Sequence, residues 1–391
     1  MLESTTLAAG AILLIGLLGG KLANYIKLPS VTGYLIAGLI VGPSLLNLIP
    51  DETLTNLEPI NELALGIIAI SIGGELTSSK LKLVKQQLPP IFFSETALTF
   101  ITVTGVCYLI SNDWPLSLVL GILSLATAPA AIISILKEYR ARGDFPRLLK
   151  SLIALDNLFC IVGFGIITSL LRILFYQSIE PENGIIWAVF EELVIALALA
   201  LFLGFVLLML NRFSYNDDKL LVINLGMLLF AVGAAESLGL PSLLIAMIMG
   251  AIIANYSKNS KAVFRVLNRI EFPILVAFLT LAGIKLNLGI ISEIGVLAIG
   301  YILARLAGKI GGARLGAMFS KDLPRKSRQN IGLALTPQAG VAIGLAILAE
   351  NKLPIEDGLI ITLILSTVIF FELVGPVLVK LALKNCDCIE E

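Results

Sequence analysis

Apolar stretches of about twenty residues, the length that spans a bilayer as a helix, follow one another along nearly the whole chain, separated by short polar turns. Only helices and closed barrels satisfy their backbone hydrogen bonds in hydrocarbon. The pattern therefore predicts an all-α polytopic membrane protein. With that length as ruler, about thirteen transmembrane segments are predicted, at 5–25, 30–48, 60–78, 90–110, 114–136, 151–174, 185–210, 219–238, 241–257, 269–285, 288–316, 328–350 and 357–382. No stretch is left for a soluble domain. Of 391 residues, 57% are hydrophobic and only 14% charged, whereas soluble domains carry about 25% charge. The first segment follows Glu3 rather than a basic leader and has no clear small-residue cleavage site, so it is expected to stay as a helix.

The chain contains no His. That excludes the usual zinc and haem sites, Ser-His-Asp and Cys-His nucleophile pairs, and the commonest switch near neutral pH. Any proton chemistry falls to carboxylates or lysines. An intramembrane enzyme is disfavoured further by the lack of a Ser-Lys or paired-Asp catalytic spacing. Zero formal net charge, without basic runs interleaved with aromatics, argues against nucleic acid as a partner. Cys107, Cys160, Cys386 and Cys388 form neither a disulfide framework nor a four-ligand metal pattern, and no cofactor is expected.

Placing the N-terminus outside puts most of the 28 basic residues on one side, including Lys80, Lys82, Lys85, Arg140, Arg142, Arg147, Arg325 and Arg328. The other side receives Asp51, Glu52, Glu180, Glu182, Glu356 and Asp357. Positive charge stays cytoplasmic, so the N-terminus is expected outside and the C-terminus inside, in an inner or cell membrane of bacterial or archaeal type.

Three features recur at nearly constant separation. Leu28-Pro29-Ser30 and Leu240-Pro241-Ser242 each open a Gly-containing segment; Gly74-Glu75-Leu76 and Ile284-Lys285-Leu286 each close one; Thr127-Ala128-Pro129 and Thr336-Pro337 each interrupt one. Matched features lie seven segments apart, and an odd number of crossings reverses direction. The halves are thus predicted to be inverted six-helix repeats, an arrangement typical of transporters.

Pro129 and Pro337 are expected to break their helices near mid-membrane, where irregular backbone survives only if buried in protein or lining a polar cavity. Thr127 and Thr336 supply hydroxyls beside the breaks, and Gln338 an amide. Asp156, beside Asn157, lies inside the sixth segment, where a lone carboxylate costs several kcal/mol. Burial works against its charge and a neighbouring cation favours it, so it can take either a proton or a metal ion. Asp156, Asn157, Thr127 and freed carbonyls form a hard-oxygen set suited to a monovalent cation. Lys309 is expected to pair with Asp156, and Arg305, one turn earlier, to neutralise helix ends at the crossing. Gly308, Gly312 and Gly316 form a track for close helix approach. Glu75 and Glu372 lie in or near segments as weaker candidates, the latter in a Glu372-Leu373-Val374-Gly375-Pro376 run read as a helix turn. Glu62, Glu95, Glu191, Glu192, Glu236 and Glu271 are read as solvated residues near the interfaces.

The run Leu28-Pro29-Ser30-Val31-Thr32-Gly33-Tyr34 through Gly42-Pro43, the Ala126-Thr127-Ala128-Pro129 break, Ala154-Leu155-Asp156-Asn157, Gly308-Lys309 and Pro337-Gln338-Ala339-Gly340 resemble monovalent cation/proton antiporters, the sodium/hydrogen exchanger type. The resemblance covers essentially the whole chain. It implies a thirteen-helix fold in which 89–175 and 287–391 form a core carrying crossed broken helices, while 1–88 and 176–286 form a dimerisation scaffold. It also implies a homodimer, an elevator-like movement of the core, and exchange of Na+ or K+ for H+. The family's polar pair falls on Asp156 and Asn157 and its basic residue on Lys309. Relatives commonly carry Asp-Asp or Asn-Asp where this chain has Asp-Asn, and many carry Asp in place of Ala128. Some continue into a cytoplasmic nucleotide-binding domain; this chain ends soon after its last segment, and none is expected. Two alternatives remain at this level: a sodium-coupled organic-anion symporter, and a transport-dead relative acting as sensor or channel.

Overall fold

The computed structural model describes residues 4–26, 28–78, 84, 86–175, 185–212, 216–289, 291–320, 323–355 and 358–388. Lys80, Lys82, Lys85, Glu180, Glu182, Glu356 and Asp357, used above to orient the chain, lie outside them. Every regular element among the described residues is helical: α1 Thr5–Tyr25, α2 Ser30–Val41, α3 Asp51–Thr55, α4 Glu58–Glu75, α5 Leu88–Ser111, α6 Trp114–Leu123, α7 Pro129–Glu138, α8 Asp144–Leu174, α9 Ile185–Arg212, α10 Asp217–Ser237, α11 Ser242–Tyr256, α12 Ser260–Ile284, α13 Ile291–Met318, α14 Arg325–Ala334, α15 Gly340–Lys352 and α16 Leu359–Asn385. Nine helices among the described residues are long and apolar enough to cross a membrane. Their outer faces carry large apolar side chains, such as Leu14 and Leu22 on α1, Phe202 and Phe205 on α9, and Ile299 and Leu303 on α13. Water would not tolerate so much exposed apolar surface. The protein is an integral membrane protein.

Several boundaries depart from the sequence reading. α8 begins at Asp144 and α12 at Ser260, so charged turns there extend their helices beyond the apolar stretch. α2 stops at Val41, where Gly42-Pro43 ends the helix. α16 runs unbroken through Pro376 to Asn385, so the Gly375-Pro376 run is not a helix turn. Gly375 lies where a Cβ would stand 3.0 Å from Pro337, and its missing side chain admits that neighbour.

The two proline interruptions behave differently. Residues 124–128 separate α6 from α7, and 335–339 separate α14 from α15. Pro129 opens α7, where its missing amide hydrogen would have been unpaired anyway.

The chain packs as two units. The first comprises 1–19, 34–78 and 169–284; the second comprises 20–33, 79–168 and 285–391. Within the first, two close crossings mirror each other. A Cβ on Gly38 of α2 would lie 2.0 Å from the Thr280 carbonyl of α12, and one on Gly283 of α12 would lie 2.2 Å from that of Leu35. Likewise Gly73 of α4 would meet the Met247 carbonyl of α11 at 1.9 Å, and Gly250 of α11 would meet that of Ile70 at 2.1 Å. Without side chains at these positions the backbones approach directly.

Within the second unit α13 lies against α5 along its glycine track. A Cβ on Gly308, Gly312 or Gly316 would come within 2.5 Å of Thr99 Cα, 2.7 Å of Glu95 Cα and 2.2 Å of the Pro90 carbonyl, respectively. Backbone cannot retreat as a flexible side chain does, so Gly312→Leu is expected to overpack this crossing. The expected cost is about 3 kcal/mol or more, seen as a lower thermal midpoint in detergent. An unchanged midpoint would mean that α5 and α13 are not held this close.

Candidate ion site

The second unit's broken helix ends determine what surrounds them. A helix end leaves its last carbonyls without intrahelical partners, and at membrane depth water cannot supply them. The irregular stretch after α6 solves this with side chains. Cys160 Sγ donates to the Ile122 carbonyl at 3.1 Å, and Gln338 Nε2 to that of Leu123 at 3.0 Å. Arg305 donates from Nε to Ser124 and from one terminal nitrogen to Ala126, each at 2.8 Å. Lys309 Nζ donates to Leu125 at 2.8 Å, and Asn157 Nδ2 to Thr127 at 2.8 Å.

The second break is tied to the first. The Ala128 amide donates to the Pro337 carbonyl at 2.9 Å, and the other terminal nitrogen of Arg305 donates to that of Thr336 at 2.6 Å. Gln338 also donates to the Tyr301 hydroxyl at 2.8 Å. The Thr336 hydroxyl turns back to the Leu333 carbonyl of its own helix at 2.8 Å. Tyr301, Arg305 and Lys309 are spaced four apart on α13 and form one fully buried stripe along the breaks. The Phe371 ring lies 4.4 Å from the guanidinium carbon and covers its face.

At the end of that stripe is an ionic cluster. Lys309 Nζ lies 2.9 Å from Asp156 Oδ2, 2.7 Å from Glu95 Oε1 and 3.0 Å from Thr127 Oγ1. Thr127 in turn donates its hydroxyl to Asp156 Oδ2 at 2.8 Å. Asp156, Glu95 and Lys309 all have 0% exposure. The other carboxylate oxygen, Asp156 Oδ1, is buried without a hydrogen-bond partner, as is Gln338 Oε1. Formally, two acids and two bases share this interior, but Arg305 spends its hydrogen bonds on carbonyls. Lys309 is the cation that the two carboxylates share.

Asn157 has a different part. Its amide gives one hydrogen bond to the Thr127 carbonyl and another to that of Ile153 at 3.0 Å, and its oxygen accepts from the Thr127 amide at 3.3 Å. All three contacts are with backbone. Asn157 therefore clasps the break beside Asp156.

Glu95 corrects the sequence reading, which placed it in solvent near an interface. It is buried on α5 against Gly312, with Thr99 Oγ1 at 3.3 Å from Oε1 and Thr96 Oγ1 at 3.4 Å from Oε2. Glu372 is also buried, next to Phe371, and none of these contacts reaches it. Glu75 closes α4 in the first unit. Among the described residues no group of three His, Cys, Asp or Glu is gathered as for a transition-metal centre.

The family model described as the transmembrane part of sodium/hydrogen exchangers matches residues 10–385. The chain is 26% identical over 199 residues to Na(+)/H(+) antiporter 1 of Methanocaldococcus jannaschii, a match covering 49% of this chain and 45% of that protein. The matched region thus spans less than half of that relative's length. Among solved structures, the sodium proton antiporter MjNhaP1 from the same organism, at pH 8, superposes with a TM-score of 0.78 at 20% identity, covering 97% of this chain and 98% of that one. An electron-microscopy structure of the same antiporter gives a TM-score of 0.68 at 19% identity, with 98% of each chain covered. From the family match over nearly its full length, the chain belongs to the sodium/hydrogen exchanger transmembrane-domain family.

Proposed function

We propose that this protein exchanges a monovalent cation, Na+ or K+, for H+ across the membrane, with Asp156 as the site both ions share. The observation that carries this reading is the Asp156 carboxylate. One of its oxygens is contested by Lys309 and Thr127, while the other is buried and unpartnered. A buried carboxylate without charge compensation is costly, so it takes a proton or a metal ion, and it cannot hold both tightly. That exclusion is sufficient for antiport. Thr127 and nearby backbone oxygens would complete a hard-ligand shell, while Asn157 keeps the break in shape.

The two mirrored glycine crossings support an inverted repeat, because α2 with α12 exchanges roles with α11 and α4 under it. We assign the dimerisation role to the unit 1–19, 34–78 and 169–284, and the moving role to the unit that carries the breaks. Elevator-like motion of the latter would expose Asp156 to each side in turn. The thirteen-span count, the homodimer, the inner-membrane location and the cytoplasmic C-terminus belong to the same reading.

The test is reconstitution of the full chain in sealed liposomes with an internal pH dye. Adding sodium or potassium outside, with membrane potential clamped at zero, is expected to drive protons outward. Proton movement in response to neither ion, between pH 6 and 9 or thereabouts, would refute exchange.

A further inference from the structure

Lys309 has one more acceptor than it can use. An ammonium has three N–H bonds, yet Glu95 Oε1, Asp156 Oδ2, the Leu125 carbonyl and Thr127 Oγ1 all stand within 3.0 Å of Nζ. Giving up Asp156 leaves every N–H satisfied and one full negative charge still beside the ammonium. The surplus is built in. Glu95 is steadied by the Thr96 and Thr99 hydroxyls, and its backbone is fixed against Gly312. Asp156 would retain the Thr127 hydroxyl and the neighbouring Glu95 carboxyl, and its Oδ1, which accepts from no donor, would be open to a cation.

We infer that Glu95 is a positioning residue that keeps Lys309 paired while Asp156 holds the transported cation, so that Lys309 alternates between two carboxylates and one. This rests on the reading of Asp156 as the cation site. With the cation bound the cluster is neutral: the cation neutralises Asp156, and Glu95 neutralises Lys309 as Asp156 is withdrawn. Arg305, the nearest other cation, is committed to the carbonyls of Ser124, Ala126 and Thr336 and cannot substitute. In Glu95→Gln, by contrast, cation entry would strand the ammonium in a fully buried site, which is strongly unfavourable.

Sodium-driven exchange in proteoliposomes, fitted for KM and kcat at one pH, tests this. Glu95→Gln is expected to raise the sodium KM about tenfold or more, with kcat within about twofold of wild type. Glu95→Asp, which keeps the charge but withdraws it by one methylene, should lie between. Removing the ammonium as well, in Glu95→Gln/Lys309→Gln, is expected to give a sodium KM well below that of Glu95→Gln alone, since nothing is left to strand. The sodium-induced rise in thermal midpoint in detergent should follow the same order. An unchanged KM in folded Glu95→Gln, or an equal penalty in the double variant, overturns the proposal. Should Glu95→Gln not fold, Glu95→Asp decides: an unchanged KM there overturns it equally. Failure of the Asp156 reading would register elsewhere, as no exchange in wild type or as exchange that survives in Asp156→Asn.

Discussion

Asp156→Asn is expected to abolish sodium- or potassium-driven proton movement while leaving the chain folded. The amide is nearly isosteric with the carboxylate, and its oxygen can accept the Thr127 hydroxyl and a Lys309 N–H as Oδ2 does now. Lys309 also keeps Glu95, at 2.7 Å, so no buried charge is stranded. The attraction for the transported ion is lost. A unit charge beside a carboxylate is worth about 4 kcal/mol at the effective dielectric of a protein site, roughly a thousandfold in affinity, and an amide has no proton to exchange. In wild type, protons and cation compete for one group, so the sodium half-saturation should rise as pH falls; the variant should have no such response. Measured in liposomes beside a thermal melt in detergent, the expected outcome is background flux with a midpoint close to wild type. Flux at the wild-type level, with sodium half-saturation within about threefold, would remove Asp156 from the mechanism.

Why Asp156 was legible and Glu95 was not is a matter of faces. Both enter their predicted segments at similar depth, 90–110 for Glu95 and 151–174 for Asp156. Asp156 has Pro129 and Thr127 as a sequence-visible break to serve, whereas nothing local to Glu95 advertises a partner. The signal was on another helix. Gly308, Gly312 and Gly316 announce that a backbone approaches α13 beside Lys309, and a carboxylate on the approaching helix becomes its natural partner. Asn157 illustrates the converse. Adjacency to Asp156 suggested a shared role, but successive residues on a helix point about 100° apart, and the amide faces the Thr127 backbone. The breaks themselves could be read because Pro129 and Pro337 recur in matched positions beside Thr127 and Thr336; proline alone would not have sufficed, since Pro273 and Pro376 stand inside continuous helices. Which carbonyls they free, and which side chains reach them, depends on packing between segments far apart in sequence.

Arg305→Ala should produce the largest loss of stability of any single substitution in the second unit. Among the described residues its guanidinium is the one group that donates to both breaks, reaching the Ser124 and Ala126 carbonyls on one and that of Thr336 on the other. Removing it leaves three buried carbonyls unpaired, at about 1–3 kcal/mol each, and also leaves two carboxylates facing one ammonium. The Phe371 ring would lose the cation that it covers. A cost of about 5 kcal/mol approaches the whole stability of many domains, so Arg305→Ala is expected to be poorly folded or to melt far below wild type in detergent. Arg305→Lys should rescue little, because a single ammonium on a flexible stem cannot span three carbonyls fixed in a fork-shaped arrangement. If Arg305→Ala instead melted like wild type and lost only transport, the Ala128–Pro337 bond and the side chains of Gln338, Cys160, Lys309 and Asn157 would suffice to hold the breaks, and Arg305 would belong to the ion pathway.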